Sequence, residues 1–280
     1  MLRRLSLSLI LLANAGVADE LELVSRLRLT SDHPHFGGLS GIEIVDEGRR
    51  AYLLSDRGRL FETFLTRQNG QLSAVQPKVS FLSWFGGDSE GLAFDGVTNF
   101  VSYEWVVRVG QPWRQCFPSH PDFADLHGNQ ALEALAVADN GTFYALPEKR
   151  LNKEKGFPIY RSRFGGWDIA SYLEPSGKFK PVGADFGPDG LLYVLERRLG
   201  IWGFQSQVRR LNPDQETAAE ILWTSDPADF DNLEGMSVWV DDAGQTRLTM
   251  VADDNFERFL RGELVEFVLK EQLAKNVADG

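Results

Sequence analysis

The sequence predicts an all-β protein, a single β-propeller of four-stranded antiparallel blades whose ring is closed by strands from both chain ends. Three observations carry this prediction. A strand, turn and strand unit recurs five times, no stretch of helical period and core length interrupts the units, and a further strand precedes the first of them. Five blades are favoured, and a sixth, degenerate blade stays possible because residues 111–129 are poorly patterned.

Each repeat unit is a hairpin. Its first apolar strand begins with a Gly or Glu-Gly pair, and its second strand ends in an acid. The turns read DEG, DG, DNG, PDG and DDAG, which supply the positive-φ positions of tight hairpins. Aligned first-strand positions are Ser40, Glu90, Glu133, Val182 and Glu234, spaced by 50, 43, 49 and 52 residues. Such periods with four strands each are typical of propeller blades.

The ends of the chain complete the ring. The last unit lacks an outer strand, and residues 21–29 (LELVSRLRL) offer one, which would remove the open sheet edges. Along the first strands small and large residues alternate, as in Gly91 and Leu92 or Gly235 and Met236. Small residues suit the crowded axis, and large ones fill the space between blades.

The N-terminus predicts export. Residues 1–18 combine Arg3 and Arg4, an apolar run from Leu5 to Leu12 and a small-residue stretch, the order of a cleaved signal peptide. Residues 19–280 would then form the propeller, in the periplasm or secreted, by either the general or the twin-arginine route. The single cysteine, Cys116, excludes an intrachain disulfide, so stability must come from the 43% hydrophobic content.

Charge and hydropathy exclude several partners. The formal net charge is −11, and −13 without the two signal-peptide arginines, which argues against binding to nucleic acid or to an anionic membrane surface. No apolar stretch approaches the ~20 residues that a membrane-spanning helix needs. Cations, or a small anionic ester or ligand at a local basic patch, are the expected partners.

Acidic residues mark the edge where the repeats begin and end. The start of the first strand and the end of the second share one sheet edge, so acids of all five blades are expected to converge at one mouth of the central channel. The candidate metal ligands are Glu43, Asp56, Glu90, Glu104, Glu133, Glu148, Asp185, Glu196, Glu234, Asp253 and Asp254. An oxygen-only set suits Ca²⁺ better than Mg²⁺. Alternatively, each acid staples neighbouring blades through hydrogen bonds or arginines.

Bases follow these acids in three of the repeats, and a histidine precedes the first. The candidate substrate-binding residues are Arg57, Lys149, Arg150, Arg197, Arg198 and His35. A cationic collar around a metal would suit binding and hydrolysis of a phosphate ester. The alternative is ion pairing at a solvated rim, which contributes little to stability.

Other motifs are weak. Residues 87–91 (GDSEG) match the G-x-S-x-G pattern of serine hydrolases, but that motif needs a helix after Ser89, and here a strand is predicted. His33 and His35, without cysteine or spaced partners, make a weak zinc signal, and Asp253-Asp254-Asn255 lacks the rest of a calcium-loop pattern. The sequence therefore singles out no catalytic nucleophile.

The repeat motifs together resemble the phytase-like domain family, which carries an esterase-like activity of phytase family proteins. The motifs are GGLSGIE with LLSDRG, DSEGLAFD with VSYE, LEALAV with ALPE, PVGADFGPDGLLYVLERR, and NLEGMSVW with DDNF, from Gly37 to Phe256. The resemblance implies a propeller, an exported location and hydrolysis of phosphate or other esters.

Two functional hypotheses follow. The first is an exported, metal-dependent hydrolase with Ca²⁺ as the favoured metal, in which mouth carboxylates hold the metal and nearby bases bind the anionic group. The second is a non-catalytic propeller that binds a ligand or protein partner at the same mouth, with the acids structural or ion-binding.

Overall fold

The computed structural model describes residues 20–31, 33, 35–82, 88–104, 107–111, 114–115, 117–126, 131–163, 165–254 and 262–270. The predicted signal peptide (1–18) lies outside these residues and stays a prediction. Cys116 and Gly87 of the G-x-S-x-G match also lie outside them. Among the described residues, no helix is long and apolar enough to cross a membrane.

In this part of the chain, twenty strands form five four-stranded antiparallel sheets, the blades. Strand β1 (Leu21–Arg28) precedes blade 1, which consists of β2 (Leu39–Val45), β3 (Arg50–Ser55), β4 (Arg59–Gln68) and β5 (Gln71–Leu82). Blade 2 consists of β6 (Ser89–Phe94), β7 (Asn99–Tyr103), β8 (Arg108–Gln111) and β9 (Arg114–Gln115). A short 3₁₀ helix, Pro121–Asp125, follows it.

Blade 3 consists of β10 (Leu132–Val137), β11 (Phe143–Pro147), β12 (Phe157–Arg163) and β13 (Gly166–Leu173). Blade 4 consists of β14 (Lys180–Phe186), β15 (Leu192–Gly200), β16 (Gly203–Leu211) and β17 (Glu220–Thr224). Blade 5 consists of β18 (Asn232–Val240), β19 (Thr246–Asp253), β20 (Glu263–Leu269) and, as its outer strand, β1.

The five-bladed fold and its closure are confirmed. Strand β1 pairs antiparallel with β20, from Leu21 opposite Leu269 to Arg28 opposite Glu263, so the first strand of the chain completes the last blade. No sixth sheet occurs in the described segments. Closure in this way leaves each blade flanked by two neighbours, which covers both faces of every sheet.

The hydrophobic core lies between the blades. Five clusters of buried side chains occupy the five blade interfaces, and the largest, between blades 4 and 5, includes Tyr193 and Phe267. A single four-stranded sheet would expose these residues. The ring therefore forms because each blade needs a neighbour to bury its apolar faces.

Glycines allow the inner strands to meet at the axis. A Cβ on Gly91 would lie 2.7 Å from the Cβ of Leu135 in the next blade, and one on Gly235 would lie 2.9 Å from the Cα of Gly41. These contacts are too close for any other residue type without a shift of the backbone. The inner strands therefore meet closely around a space of only about 10 Å³ lined by Gly41, Gly91, Gly183 and Gly235, which we call the glycine constriction.

A β-bulge recurs at the aligned position of every blade. The pairing of the first two strands shifts register around Ser40, Glu90, Glu133, Val182 and Glu234. A bulged residue leaves the regular pleat and can turn its side chain away from the sheet faces. In three blades this residue is a glutamate, which the bulge directs into the channel mouth.

A buried ionic cluster joins the last blade to the first. Arg67 of β4 donates to both carboxylate oxygens of Glu266 on β20, at 2.6 and 2.7 Å. Arg247 of β19 donates to the same carboxylate at 2.9 Å, and both arginines lie over the ring of Trp239. Glu266 is fully buried, so its charge is balanced within the protein.

Candidate functional site

The channel mouth contains a cavity of about 170 Å³ lined almost entirely by carboxylates, which we call the acidic cavity. Eight carboxylates and one arginine line it: Asp56, Asp88, Glu90, Glu104, Glu133, Glu148, Glu234, Asp253 and Arg197. All five blades contribute to this set. The expected convergence of acids at one end of the channel is thus observed for seven predicted residues, whereas metal binding by them stays a prediction.

Three of these acids form its tightest group. One carboxylate oxygen each from Glu90, Glu104 and Glu133 lies within 4.8 Å of the others. The adjacent Glu133 side chain and the backbone of Ala131 both favour the charged form of Glu104, against the desolvation that raises its pKa. The group combines two bulge residues with one strand-end residue, from blades 2 and 3.

Burial controls the protonation of this group. Desolvation, followed by the charges of neighbouring carboxylates, raises the pKa of Glu90 and of Glu133 well above the usual glutamate value. Desolvation also raises the pKa of Glu104, and raises that of Asp56 to about 6 against the opposing charge of Arg57. Without a cation, the acidic cavity therefore retains protons at pH values where free carboxylates are ionised.

Arg197 supplies the cation of the acidic cavity. Its guanidinium is four-fifths buried, donates to Glu234 at 2.5 Å and lies 3.5 Å from Glu148. Burial alone would lower the pKa of Arg197, but Glu234 and Glu148 outweigh it and raise that pKa. Arg197 was predicted to bind substrate. In the structure it also joins blade 4 to blades 3 and 5.

Glu196 does not join the acidic cavity, contrary to expectation. Its carboxylate is fully buried and accepts two hydrogen bonds from Arg209 of β16, at 2.6 and 2.7 Å. Strand β15 continues through Glu196, which is paired with Gln207, so the pleat holds its side chain on a sheet face. Blade 4 consequently presents Arg197 at the mouth where other blades present an acid.

Glu43 and Asp185 also lie away from the mouth. Both are buried beyond the glycine constriction, and Ser237 Oγ lies 3.4 Å from a carboxylate oxygen of each. Asp185 accepts a hydrogen bond from the backbone N–H of Val238 at 2.6 Å. Desolvation raises the pKa of Glu43 strongly and that of Asp185 to about 7. They face the axis as expected, but form a separate pair.

The remaining predicted acids lie at or near the mouth. Asp253 lines the acidic cavity, whereas Asp254 accepts a hydrogen bond from the backbone N–H of Gly38 at 2.9 Å and links blade 5 to blade 1. Asp88 lines the acidic cavity and was missed by the sequence analysis. Its position directly before β6, on the same sheet edge as Glu90, could have identified it from the sequence.

A larger basic groove of about 730 Å³ opens beside the acidic cavity between blades 3 and 4. The two share Glu148 and Arg197. Seven cationic residues line the groove: Lys149, Arg150, Lys153, Lys178, Lys180, Arg197 and Arg198. Four of the six predicted substrate-binding residues are thereby brought together.

Aromatic rings organise three arginines of this basic groove. Arg150 lies over Phe157, Arg197 over Phe204 and Arg198 over Phe179, with guanidinium carbons 4.8 to 5.8 Å from the ring centroids. Stacking of this kind fixes a guanidinium plane while leaving its edge free to donate hydrogen bonds. The groove is therefore suited to anionic groups.

Arg57 and His35 lie outside the basic groove. Arg57 follows Asp56 and acts on it through its charge. His35 is exposed just before β2, and the positive charge of Arg59 lowers its pKa. Neither residue lines the acidic cavity or the groove.

Ser89 is engaged in structural hydrogen bonds. Its hydroxyl is fully buried, donates to the carbonyl of Ser55 at 2.7 Å and accepts from the backbone N–H of Gly58 at 3.0 Å. These bonds join blade 2 to blade 1. The hydroxyl is thus not presented to solvent as a nucleophile must be.

Residues 34–256 match the Phytase-like family, described as "Esterase-like activity of phytase". The chain belongs to this family. The match covers all five repeat units, so the resemblance carried by their motifs is confirmed. No curated protein matches the Phytase-like chain.

Solved structures similar to this Phytase-like chain are distant. A putative gluconolactonase is 14% identical, with 88% of this chain and 94% of that chain covered and a TM-score of 0.47. Regucalcin, a calcium-binding protein from Agrobacterium tumefaciens, is 11% identical, with 83% and 91% covered and a TM-score of 0.46. The WD40 repeats of RRP9 are 8% identical, with 91% and 98% covered and a TM-score of 0.48. Similarities at this level carry no conclusion about activity.

Proposed function

We propose that this protein is an exported, metal-dependent hydrolase of phosphate or other esters, with a divalent cation, Ca²⁺ by preference, held in the acidic cavity. The observation that carries the proposal is the group formed by Glu90, Glu104 and Glu133, whose ligand oxygens lie within 4.8 Å of one another. Membership of the Phytase-like family supports the choice of ester hydrolysis.

The acidic cavity fits a hard cation. Its available ligands are carboxylate oxygens, which hard divalent ions prefer, and an irregular set of many acids favours Ca²⁺ over Mg²⁺. The raised pKa values of Glu90 and Glu133 show that desolvated carboxylates lack sufficient positive charge nearby. A bound cation would supply that charge, polarise an ester oxygen and lower the pKa of a bound water.

The basic groove supports an anionic substrate. Its stacked arginines and surrounding lysines can bind a phosphate or carboxylate group next to the acidic cavity. Arg197 lines both spaces, and Glu148 and Glu234 hold its guanidinium in place. Its position is therefore suited to orient the anionic group toward the carboxylates.

Asp56 is the side chain best suited to accept a proton. It lines the acidic cavity, and burial raises its pKa to about 6, close to neutral pH. Its carboxylate lies outside the group formed by Glu90, Glu104 and Glu133 that would hold the cation, so it can accept a proton there. We assign it the role of receiving a proton from the attacking water.

A panel of phosphate and carboxylic esters tests the proposal, assayed with calcium and then with chelator. We expect calcium-dependent turnover in the wild type and its loss in Glu133→Gln. The matched control is Glu220→Gln, which removes an acid from an exposed ion pair with Arg210 and should retain activity.

Calcium-independent turnover, or full activity of Glu133→Gln, would contradict this assignment. Calcium binding without turnover of any ester would instead support the non-catalytic alternative, a ligand-binding propeller with a structural ion in its acidic cavity.

A further inference from the structure

One hairpin projects from the face that carries the acidic cavity. Strands β3, β7 and β11 each end one residue before the acid of their repeat, but β15 continues to Gly200, four residues beyond Glu196. Its pairing with β16 is unbroken up to Gly200 opposite Gly203. At about 3.3 Å per residue, the hairpin extends roughly 13 Å past the level of Glu196.

The end of this hairpin is apolar and exposed. Leu199 is 71% exposed, Ile201 95% and Trp202 79%. These three residues form what we call the hairpin tip. Three large apolar side chains at the end of a projection contribute nothing to the core, and clustered exposure of this kind indicates a binding surface.

The hairpin tip has a basic flank on one side. Leu199 lines the basic groove, together with Lys149, Arg150, Lys153, Lys178, Lys180 and Arg198. On the other side of the hairpin lies the loop of residues 225–231, in which Ala228 bonds to Phe204 and which carries three aspartates. Arg26 lies against that loop, donating to the carbonyl of Asp229 at 2.9 Å. The positive charge is thus concentrated on the groove side.

Charges close to the hairpin tip affect its attraction to an anionic surface more than the net charge of the protein does. The net charge of −11 predicts repulsion from anionic surfaces. However, salt screens exposed charges beyond about 8 Å at physiological ionic strength, so remote acids contribute little at the tip, where seven cationic residues line the adjoining groove. Tryptophan and aliphatic residues flanked by cations are the combination that binds the interface of an anionic bilayer.

We propose that the hairpin tip inserts into the headgroup region of an anionic phospholipid bilayer, with the cations of the basic groove on the lipid phosphates. A deformable lipid surface accepts a convex projection, whereas a protein partner would need a matching cavity. Binding in this way places the acidic cavity toward the membrane. The proposal does not depend on the activity proposed above.

Vesicle flotation of the mature protein tests the proposal. Vesicles containing phosphatidylglycerol are compared with vesicles of phosphatidylcholine alone, at one fixed calcium concentration and at low and high salt. We expect wild-type protein to float with the anionic vesicles only, and less at high salt. The double variant Ile201→Ser and Trp202→Ser should lose about tenfold in partitioning or more, since it removes most of the buried apolar area.

The matched control is Val97→Ser, which removes an 88% exposed apolar residue from the turn between β6 and β7, at the opposite end of the propeller. It should float like the wild type. Lys153→Glu with Lys178→Glu should weaken binding to anionic vesicles and leave the thermal melt unchanged.

Three flotation results would each overturn the proposal: no flotation of wild type with anionic vesicles at low salt, equal flotation of the tip variant and Val97→Ser, or equal binding to both vesicle types. A change in oligomeric state caused by the tip variant alone, seen by size-exclusion chromatography, would identify a second copy of the chain as the occupant and would also overturn it.

Discussion

Ligand oxygens of Glu104 and Glu133 lie within 4.8 Å of each other across the interface between blades 2 and 3. Desolvation raises the pKa of both carboxyl groups, so this pair keeps protons to higher pH than free carboxylates do. A cation bound by both carboxylates would have to displace such protons. At mildly acidic pH the cation-free protein therefore holds protons that the metal-bound protein does not.

Calcium binding should accordingly release protons at mildly acidic and neutral pH. Isothermal titration calorimetry in buffers of different ionisation enthalpy measures this release directly. We expect net proton release on calcium binding, and a higher calcium affinity as pH rises, since ligands must be deprotonated. An affinity and apparent enthalpy independent of pH and buffer would contradict the retention of protons by these carboxylates.

The raised pKa values of the buried carboxyl groups predict that the protein becomes less stable as pH rises. Acids whose pKa is raised by folding bind more protons in the native state than in the unfolded state, so the free energy of unfolding falls as pH rises. Asp56 and Asp185, raised to about 6 and about 7, place this loss between about pH 4 and about pH 7. Glu90 and Glu133 extend it in the same direction.

Thermal melts of chelated protein at several pH values check this prediction. The melting temperature should be higher at mildly acidic pH than at slightly alkaline pH, and excess calcium should remove the part of the difference that comes from the acidic cavity. Glu43→Gln provides a variant away from the acidic cavity, and should flatten only the part of the profile due to the pair with Asp185. A chelated protein that becomes steadily more stable from pH 5 to pH 8 would contradict it.

The sequence predicted the ring because hairpin turns and alternating patterns are local signals. Turn chemistry and strand period identified the repeats, and the open edge of the last unit indicated closure by residues 21–29, which β1 confirms. The bulge glutamates Glu90, Glu133 and Glu234 were found because they recur at one aligned position. Repetition thus revealed the acidic cavity without any knowledge of contacts.

Side-chain direction could not be obtained in the same way. Three of the five second strands end one residue before their acid, which is then free to turn toward the axis, but β15 continues through Glu196 and holds it in the pleat. As a consequence, Arg197 and not Glu196 lies at the mouth. The sequence analysis wrongly placed Glu43 and Asp185 at the mouth. Each lies three residues after the aligned position of its blade, which is about 10 Å along the strand and beyond the glycine constriction.

Because blade 4 presents Arg197 rather than Glu196 at the mouth, Glu196 should act as a structural acid and not as a cation ligand, which can be tested. Glu196→Gln leaves the charge of Arg209, which is almost fully buried, without its carboxylate. Breaking a buried pair from one side costs about 3–5 kcal/mol. We expect that loss in urea or thermal unfolding, with calcium affinity unchanged in the folded variant.

Two other variants serve as controls for Glu196. Glu133→Gln should show the reverse pattern, weakened calcium binding with little loss of cation-free stability, since it removes a desolvated acid. Glu220→Gln should change neither by more than about 1 kcal/mol, because its ion pair is exposed. If the Glu196→Gln protein had normal stability and weakened calcium affinity, Glu196 would be a metal ligand and the structural role would be wrong.

Glu266 makes the closure of the ring testable. Glu266→Gln leaves Arg67 and Arg247, both largely buried, without their shared carboxylate at the seam between blades 5 and 1. We expect a loss of about 3–5 kcal/mol in the free energy of unfolding. The control is Glu62→Gln on the same strand as Arg67, which removes a more exposed partner of Arg50 and should cost about 1 kcal/mol or less.

Hydrogen exchange then locates the effect of Glu266→Gln. Because β1 and β20 close the ring beside this cluster, their amides should lose protection before those of β11 and β12 in blade 3. Uniform loss of protection over all five blades would show that the seam does not open separately. Unchanged stability in Glu266→Gln would show that the buried cluster does not hold the ring closed.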